Sequence, residues 1–326
     1  MHISGKKILI TGGLGFIGSN LARRLVEWGN SVTVVDSLIP EYGGNLRNLH
    51  DLRDQVLVNL SDVRDPFSIK ELIKGQDYLF NLAGQTSHLD SMNDPFTDLD
   101  INAKAQLSIL EACRKNNRDI RIVFASTRQI YGKPQYLPVD ERHPLNPVDV
   151  NGINKIAGEQ YHLLYNQVHE IRSSVLRLTN TYGPRMRIKD ARQTFLGIWI
   201  RNLIEKKPIQ VFGDGKQRRD YNYVDDVVDA LIIAATKNES AGKIYNLGAP
   251  RPISLQETAQ IMCEKIEGAS YALVPFPEER KVIDVGDFIS DYSIFQSSFG
   301  WNPKVDFETG IERSIEFFKD ELKYYI

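Results

Sequence analysis

The sequence predicts an α/β fold with a doubly wound parallel sheet and a smaller C-terminal lobe. Three observations predict it. Short runs rich in Val, Ile, Leu and Phe alternate with helical patterns in the first half of the chain, and they show the weak polar alternation of strands buried on both faces. A glycine-rich turn joins the first run to the first helix, and an acidic residue ends the second run. Alternation of strands and helices in this order is typical of a doubly wound sheet.

The predicted elements follow in chain order. The strands are Lys7–Thr11, Ser31–Asp36, Val56–Leu60, Tyr78–Ala83, Arg121–Ser126 and Ser174–Thr179. Ile17, Leu21 and Leu25 share one face of the first helix, which Gly29 ends. The later helices are Leu99–Lys115, Gly152–Tyr165, Asp225–Lys237, Leu255–Ile266 and Gly310–Leu322, and the later strands are Ile209–Phe212 and Lys243–Leu247.

The residue composition of the chain changes after Thr179. The sequence becomes rich in turns and arginine between Gly183 and Arg192, and no low-complexity linker marks the transition. We expect residues 1–179 to form a dinucleotide-binding domain and residues 180–326 a smaller substrate-binding lobe. A segment at about 220–248 is expected to return to the sheet.

Composition excludes several classes of protein. The chain has 40 Lys and Arg against 42 Asp and Glu, so a formal net charge of -2 gives no overall attraction to nucleic acid or an acidic membrane. Cys113 and Cys263 lie far apart and no Cys/His cluster exists, so neither a disulfide framework nor a metal site is expected. Without a cleavable leader or a long uncharged apolar run, we expect a cytoplasmic protein.

The glycine-rich turn predicts a dinucleotide site. Gly13, Gly15 and Gly18 satisfy a GxGxxG spacing, while Gly12, Gly15 and Gly18 satisfy GxxGxxG. Such glycines let the backbone approach a pyrophosphate at a helix N-terminus. Asp36 ends the next strand, where a carboxylate binds a ribose 2′-hydroxyl and repels a 2′-phosphate, so NAD is favoured over NADP. The residues predicted to bind it are Gly12, Gly15, Phe16, Ile17, Gly18, Asp36, Asp62, Val63, Leu82, Ala83 and Lys155.

Four motifs in conserved order carry a family resemblance over nearly the whole chain. They are T-G-G-L-G-F-I-G at Thr11–Gly18, N-L-A-G at Asn81–Gly84, A-S-T-x-x-x-Y-G at Ala125–Gly132 and R-D-Y-x-x-V-D-D at Arg219–Asp226. With these motifs the chain resembles the extended short-chain dehydrogenase/reductase family. Within that family it is similar to the NAD-dependent nucleotide-sugar epimerases and dehydratases, a group that includes UDP-glucose 4-epimerase.

The resemblance implies a set of catalytic residues, and one residue of this chain departs from the family's motif. In the family, NAD takes a hydride from carbon 4 of the sugar, and the Tyr of a Y-x-x-x-K motif takes the hydroxyl proton. Thr127 matches the upstream Ser/Thr that positions the hydroxyl, and Lys155 matches the Lys. Asn151 stands where the Tyr is expected. An amide does not titrate in the accessible range, so Asn151 cannot be the base, although it can bond a sugar hydroxyl or water.

Several explanations of this departure stay open. Another group could be the base: His88, Tyr182, or a desolvated Lys155. A water relayed by Thr127 could act instead, or the site could bind without useful turnover. Asn is also a good helix N-cap, which could by itself account for Asn151.

The two residues after Thr127 reduce the number of reactions that the chain is expected to catalyse. The resembled 4,6-dehydratases carry an Asp-Glu pair there, and decarboxylases carry Glu at the second position, whereas this chain has Arg128 and Gln129. Neither is a general acid or base near pH 7. Epimerisation at carbon 4 of a nucleotide hexose or uronate is therefore predicted by elimination. There are two alternatives. The chain could be a dehydratase or decarboxylase that uses unusual acids, or it could only bind NAD and a nucleotide sugar.

Predicted substrate contacts and assembly complete the expectations. Arginine suits a diphosphate or a uronate carboxylate because its planar fork donates two bonds at once. The residues predicted to contact a nucleotide sugar, with a UDP-sugar favoured, are His88, Arg128, Asn180, Arg185, Phe212, Arg219 and Arg280. Family resemblance also implies a homodimer through a four-helix bundle, formed by Leu99–Lys115 and Gly152–Tyr165 of each chain. The candidate interface residues are Leu107, Leu110 and Ile156.

Overall fold

The apolar runs of the sequence form the strands of a central sheet. The computed structural model describes residues 2–281 and 283–326, and only the backbone of residues 279 and 280. The strands are β1 (Lys7–Thr11), β2 (Ser31–Val35), β3 (Val56–Asn59), β4 (Tyr78–Asn81), β5 (Arg121–Thr127), β6 (Ser173–Leu178), β7 (Asn180–Tyr182), β8 (Ile209–Phe212), β9 (Arg218–Arg219), β10 (Tyr221–Tyr223), β11 (Ile244–Asn246), β12 (Ile253–Ser254) and β13 (Tyr271–Val274).

Helices cover this sheet and build the rest of the molecule. They are α1 (Phe16–Glu27), α2 (Pro66–Leu72), α3 (His88–Asn93), α4 (Pro95–Leu99), α5 (Ala105–Asn116), α6 (Val150–His169), α7 (Phe195–Ile204), α8 (Val224–Thr236), α9 (Leu255–Cys263), α10 (Glu278–Lys281), α11 (Ser293–Phe299) and α12 (Phe307–Glu321). Within the described ranges, none of these helices combines the length and apolar character needed to cross a membrane.

The central sheet is parallel and has the strand order β11-β6-β5-β4-β1-β2-β3. Side chains alternate between its faces: Ile8 and Ile10 of β1 join the core beside α1 and α8, whereas Leu9 joins the core beside α5. The doubly wound α/β fold is confirmed. Chain order reverses between β4 and β1, and ligands of such sheets bind at the carboxyl ends of the strands there.

The later helices differ from the prediction at their ends, and two of these differences concern the helices near Asn151. The predicted helix Leu99–Lys115 is divided into α4, a π-helical stretch over Asp100–Lys104, and α5. Helix α6 is longer than predicted, and Asp149 caps it by accepting the Gly152 N–H at 2.7 Å. Asn151 lies inside the first turn, so the explanation of Asn151 as the N-cap is wrong.

The C-terminal part packs small sheets against helices around an aromatic core. Strands β7 and β10, β9 and β12, and β8 and β13 form the pairs of these sheets. Tyr182, Tyr221 and Phe307 meet within this core, with the Tyr221 and Phe307 ring centres 4.8 Å apart. Strand β11 lies in the central sheet beside β6, so the chain re-enters the sheet after β10. This packing lets residues of β8 and β9 line a cavity that the central sheet also borders.

Candidate active site

A cavity of about 710 Å³ opens at the carboxyl ends of the central strands. Residues of both the sheet and the C-terminal part line it, which places the glycine-rich turn and the predicted anion-binding arginines in one continuous space. The predicted cofactor residues on its wall are Gly12, Gly15, Phe16, Ile17, Gly18, Asp36, Asp62, Val63, Leu82, Ala83 and Lys155. The predicted sugar-side residues on its wall are His88, Thr127, Arg128, Asn151, Asn180, Phe212 and Arg219.

The structure shows which of the two glycine spacings found in the sequence faces the cavity. Gly12 has a φ of +68°, which glycine adopts without strain. A Cβ on Gly18 would lie 2.3 Å from the Gly12 carbonyl oxygen, so helix α1 can approach the turn this closely only without a side chain. Gly13 instead packs against Val34, whose Cβ would be 2.4 Å from an added Cβ. Gly12, Gly15 and Gly18 line the cavity, and Gly13 supports the turn from behind.

Two carboxylates border the cofactor end of the cavity. Asp36 accepts the backbone N–H groups of Leu14 at 3.1 Å and Leu38 at 3.0 Å, and burial raises its pKa. Asp62 is 2.7 Å from the Arg64 guanidinium. Burial acts to raise the pKa of Asp62, but its bonds to Arg64 outweigh burial, so the pKa is lowered. Asp36 is therefore held in place by the backbone of the glycine turn itself.

These residues fit a dinucleotide. The glycines leave a cradle that side chains would fill, and Asp36 stands at the end of β2 beside it. Ser126 also lines the cavity, and its buried Oγ has no hydrogen-bond partner among the described residues. Buried polar groups rarely stay unpaired, so a bound polar molecule is the natural partner.

Lys155 and Thr127 both line the cavity. Lys155 Nζ donates to the Ala125 carbonyl oxygen at 3.2 Å and lies 4.9 Å from the ring centre of Phe124. Burial lowers the pKa of Lys155 to about 8. Thr127 Oγ1 accepts the Gln129 N–H at 3.2 Å and so caps the 3₁₀ turn Arg128–Tyr131. Thr127 lines the cavity as well, so the structural and the predicted positioning roles are compatible.

Asn151 is buried on the cavity wall with its donors already engaged. Its Nδ2 donates to the Gln85 carbonyl oxygen at 2.7 Å and to Asp98 Oδ2 at 3.1 Å. Only its side-chain oxygen is therefore available to a ligand. Asp98, which the sequence did not single out, is fully buried and also accepts the side-chain amides of Asn102 and Asn154.

The tyrosines of the structure do not supply the missing base. Tyr182 is buried outside the cavity, where its hydroxyl donates to backbone oxygens of Asp306 and Phe307, and burial raises its pKa well above 10. This corrects the proposal of Tyr182 as base. Tyr42 is the tyrosine that lines the cavity within the described ranges, and burial and the nearby carboxylate of Asp94 raise its pKa. A raised pKa opposes deprotonation near neutral pH.

His88 has a partner that sequence reasoning missed. Its Nδ1 lies 2.8 Å from Oδ2 of Asp149, the residue that caps α6. The imidazole is not aligned for a straight hydrogen bond, so a small ring rotation is needed to direct Nδ1–H at the carboxylate. The available signal was an acidic residue at the predicted start of α6, two positions before Asn151.

Two arginines form the anion-binding end of the cavity. Arg128 Nη1 is buried without a hydrogen-bond partner among the described residues, and Nη2 is 3.5 Å from Asn180 Oδ1. Burial and the nearby charge of Arg219 lower the pKa of Arg128 to about 10. Arg219 donates to the Arg218 carbonyl oxygen at 3.0 Å and lies 3.6 Å from Asp284. An anion between the two guanidinium groups would offset their repulsion.

Two other predicted substrate residues do not contribute to this end. Arg185 has a φ of +72° and donates to Asn20 Oδ1 at 2.9 Å, with its guanidinium 5.0 Å from the Phe317 ring. Its side chain is not part of the cavity wall, which corrects the prediction that Arg185 binds substrate. Arg280 lies in α10, but its side chain is outside the described part of the chain.

A loop after β7 adds cavity residues that the motifs did not indicate. Arg192, Gln193 and Phe195 line the cavity, and Arg192 is 3.2 Å from Asp90 of α3. The arginine-rich texture of this segment was the only signal in the sequence. In the described residues, no group of three or more His, Cys, Asp or Glu is arranged to hold a metal ion.

Comparison with known proteins places these features in a family. Residues 8–248 match the model of the NAD dependent epimerase/dehydratase family. UDP-glucose 4-epimerase of Mycolicibacterium smegmatis is 30% identical, over 97% of this chain and 99% of that protein. UDP-glucuronic acid decarboxylase 1 of Xenopus tropicalis is 29% identical, over 98% of this chain and 73% of that protein. The crystal structure of UDP-glucose 4-epimerase with UDP-glucose from Thermotoga maritima superposes with a TM-score of 0.87 and 30% identity, covering 97% of this chain and 99% of that chain.

Proposed function

Because the chain belongs to the NAD-dependent epimerase/dehydratase family, we propose that it is an epimerase acting at carbon 4 of a nucleotide hexose or uronate, with a UDP-sugar as substrate. The observation that carries the proposal is the single cavity joining the glycine turn and Asp36 to Arg128 and Arg219. Thr127 and Lys155 line the same cavity. A cofactor at one end and a diphosphate at the other would hold the sugar beside Thr127.

The roles of the residues follow from this placement. Bound NAD supplies a two-electron acceptor for a hydride from carbon 4. The glycine turn would bind the pyrophosphate, and Asp36 would accept hydrogen bonds from the ribose hydroxyls. Lys155 would donate to the nicotinamide ribose, and the hydroxyl of Thr127 would orient the sugar hydroxyl that loses its proton. Arg128 and Arg219 bind the substrate diphosphate or a uronate carboxylate, with Asn180 beside them.

The residues beside Thr127 disfavour the loss of water or carbon dioxide. Gln129 is buried, and its side-chain amide donates to Asp149 at 3.1 Å. Arg128 carries a proton that it does not release near pH 7. Neither residue can serve as the acid or base of an elimination, whereas epimerisation needs only reversible oxidation and rotation of the sugar. A decarboxylase stays the second candidate because Arg128 could hold a uronate carboxylate.

Exposed apolar side chains on α4, α5 and α6 support a homodimer. Ile153, Leu164 and Val168 of α6 are 56%, 51% and 59% exposed, and Phe96 of α4 is 77% exposed. Leu107 is 36% exposed and joins this face, but Leu110 is fully buried against the sheet, which corrects its assignment to the interface. Ile156 is half-buried. Pairing of these helices with a second copy would remove the exposed apolar surface from water.

A substrate screen tests the proposal. The protein is incubated with UDP-, dTDP-, GDP- and CDP-sugars, and products are analysed by mass spectrometry and proton NMR. An epimerase gives a product of unchanged mass with inverted configuration at carbon 4. Loss of water or carbon dioxide would establish a lyase instead, and binding without any chemical change would favour a protein that only binds NAD and nucleotide sugar.

A further inference from the structure

His88 and Asp149 form an isolated acid–base pair on the wall of the cavity. The His88 side chain is 35% exposed toward the cavity, whereas the Asp149 side chain is fully buried behind it. The 2.8 Å separation of Nδ1 and Oδ2 leaves Nε2 as the ring nitrogen without this partner. When Nδ1 carries the proton, Nε2 has a free lone pair and can accept one.

Asp149 is fixed by contacts on both of its oxygens. Oδ1 accepts the Gly152 N–H at 2.7 Å and Oδ2 accepts the Gln129 side-chain amide at 3.1 Å. Burial acts to raise the pKa of Asp149, but bonds from His88, Gly152 and Gln129 outweigh burial, so the pKa is lowered. The carboxylate therefore stays ionised and can both orient an imidazole and stabilise it once protonated.

Asn151 holds His88 near this carboxylate. A loop of residues 82–87 joins β4 to α3, whose first residue is His88, and Asn151 Nδ2 donates to the carbonyl oxygen of Gln85 in that loop at 2.7 Å. Asp149 and Asn151 therefore tie one loop to the start of α6 at two points. The side chain found in place of the usual tyrosine supports the loop that supplies a histidine.

We infer that His88 is the acid–base residue of the reaction, with Asp149 as its positioning residue, in the role that the family gives to tyrosine. This inference rests on the proposed function. In this role Nε2 would take the proton of the carbon 4 hydroxyl, and a C4=O bond would form as the C4–H hydrogen and its bonding electron pair leave as hydride to NAD. The same proton and hydride return when the rotated sugar is reduced on its other face.

Other charged groups around His88 are already paired, or they are poorly suited to accept the sugar proton. On α3, Asp90 is 3.2 Å from Arg192. On α4, Asp98 accepts the amides of three asparagines. On α6, Lys155 Nζ donates to a backbone oxygen, and its pKa of about 8 leaves most of it protonated near pH 7, without a lone pair to accept the sugar proton.

The first test is kinetic and uses His88→Ala and His88→Gln, with the exposed His50→Gln as control. We expect kcat for sugar conversion to fall on the order of 10²-fold or more in both His88 variants, the usual range of general-base catalysis. Imidazole added to His88→Ala should restore part of the rate, which a merely structural loss would not allow. His50→Gln should match the wild type. Rates of the His88 variants within threefold of the wild type, given unchanged melting temperatures, would overturn the inference.

The second test needs no turnover. Nitrogen-15 NMR reads the tautomer of His88 in the apo protein, with the signal assigned from its loss in His88→Gln. We expect the Nδ1–H form, and its loss in Asp149→Asn, which keeps an N-cap for α6. An Nε2–H form in the wild type would overturn the inference. If the wild type converts no nucleotide sugar, the proposed function fails, and the inference that rests on it fails as well. An active wild type with His88 in the Nε2–H form, or with active His88 variants, would overturn the inference alone.

Discussion

Asn151 Nδ2 lies 2.7 Å from the carbonyl oxygen of Gln85, so the first turn of α6 is bonded directly to the loop after β4. Asn151 is 2% exposed, and its second N–H reaches Asp98. The position at which the sequence motif predicts a tyrosine is here an asparagine in a buried polar network. Such networks are rigid when every member is satisfied, and they tolerate substitution poorly.

Asn151→Tyr tests whether this position still has room for a phenol. We expect lower activity and an unfolding free energy reduced by about 1–3 kcal/mol, because the Gln85 carbonyl oxygen and Asp98 each lose one of their donors and keep only those from Asn102 and Asn154. The control is Asn154→Ala, which removes another amide from Asp98 outside the cavity. It should cost stability while leaving kcat nearly unchanged. A rise in turnover of Asn151→Tyr would show that the phenol restores the usual base, contrary to the account given for His88.

Arg219→Ala tests the anion-binding end. Charge-assisted hydrogen bonds contribute about 1.5–3 kcal/mol, so we expect affinity for both UDP and UDP-sugar to fall by about tenfold or more, measured by isothermal titration calorimetry. Arg218 is the matched control, since it is the adjacent arginine of β9, is exposed and pairs with Asp287 at 2.9 Å. Arg218→Ala should bind UDP as the wild type does. Equal affinities of all three proteins would remove Arg219 from the site.

Lys155 predicts a pH-dependent stability of the apo protein. Burial lowers its folded pKa from 10.5 to about 8, so the unfolded chain binds more protons than the folded chain between these values. Stability contributed by this group therefore rises with pH across that window, and the charged lysine opposes folding below it. The free energy of unfolding is measured with urea for the wild type and for Lys155→Met. We expect the wild type to gain stability relative to Lys155→Met as pH rises from 8 to 10.5. Parallel pH curves would contradict this assignment.

The exposed apolar face predicts a dimer that a charge can break. We expect the wild type to elute with twice the chain mass of 37.1 kDa by light scattering, and Leu164→Glu to shift the protein toward the monomer. A buried carboxylate without a partner is unfavourable at an apolar interface. Leu273→Glu is the control, since Leu273 is 50% exposed on β13, which pairs with β8 in the C-terminal part. A monomeric wild type, or a dimer insensitive to Leu164→Glu, would refute the proposal.

The parts of the fold set by local pattern could be predicted from the sequence. Strand β1 has the predicted boundaries, β2 ends one residue earlier than predicted, and β6 begins and ends one residue earlier, because continuous apolar runs identify strands buried on both faces. Strands β7 and β10 are three residues each, and they exist only because the chain returns past the sheet and pairs them. The π-helical stretch at Asp100–Lys104 was equally hidden, because its sequence keeps an ordinary helical pattern.

The site was predictable where one motif fixed a short segment. Glycine spacing located the turn, but only the packing of Gly13 on Val34 shows which three glycines face the cavity. The His88–Asp149 pair joins residues 61 positions apart, and no local pattern relates them. Arg185 was misplaced because the positive φ at that residue turns its side chain toward α1, a direction that sequence spacing does not encode.

Transfer of a label at carbon 4 tests the central claim most directly. The enzyme is given a UDP-sugar carrying deuterium on carbon 4, in ordinary water, and product mass and deuterium NMR are recorded. Reversible oxidation at carbon 4 predicts a product of unchanged mass, inverted at carbon 4, with the deuterium still on that carbon because the hydride leaves and returns without exchange. Deuterium lost to water, or a product lighter by water or carbon dioxide, would contradict the account.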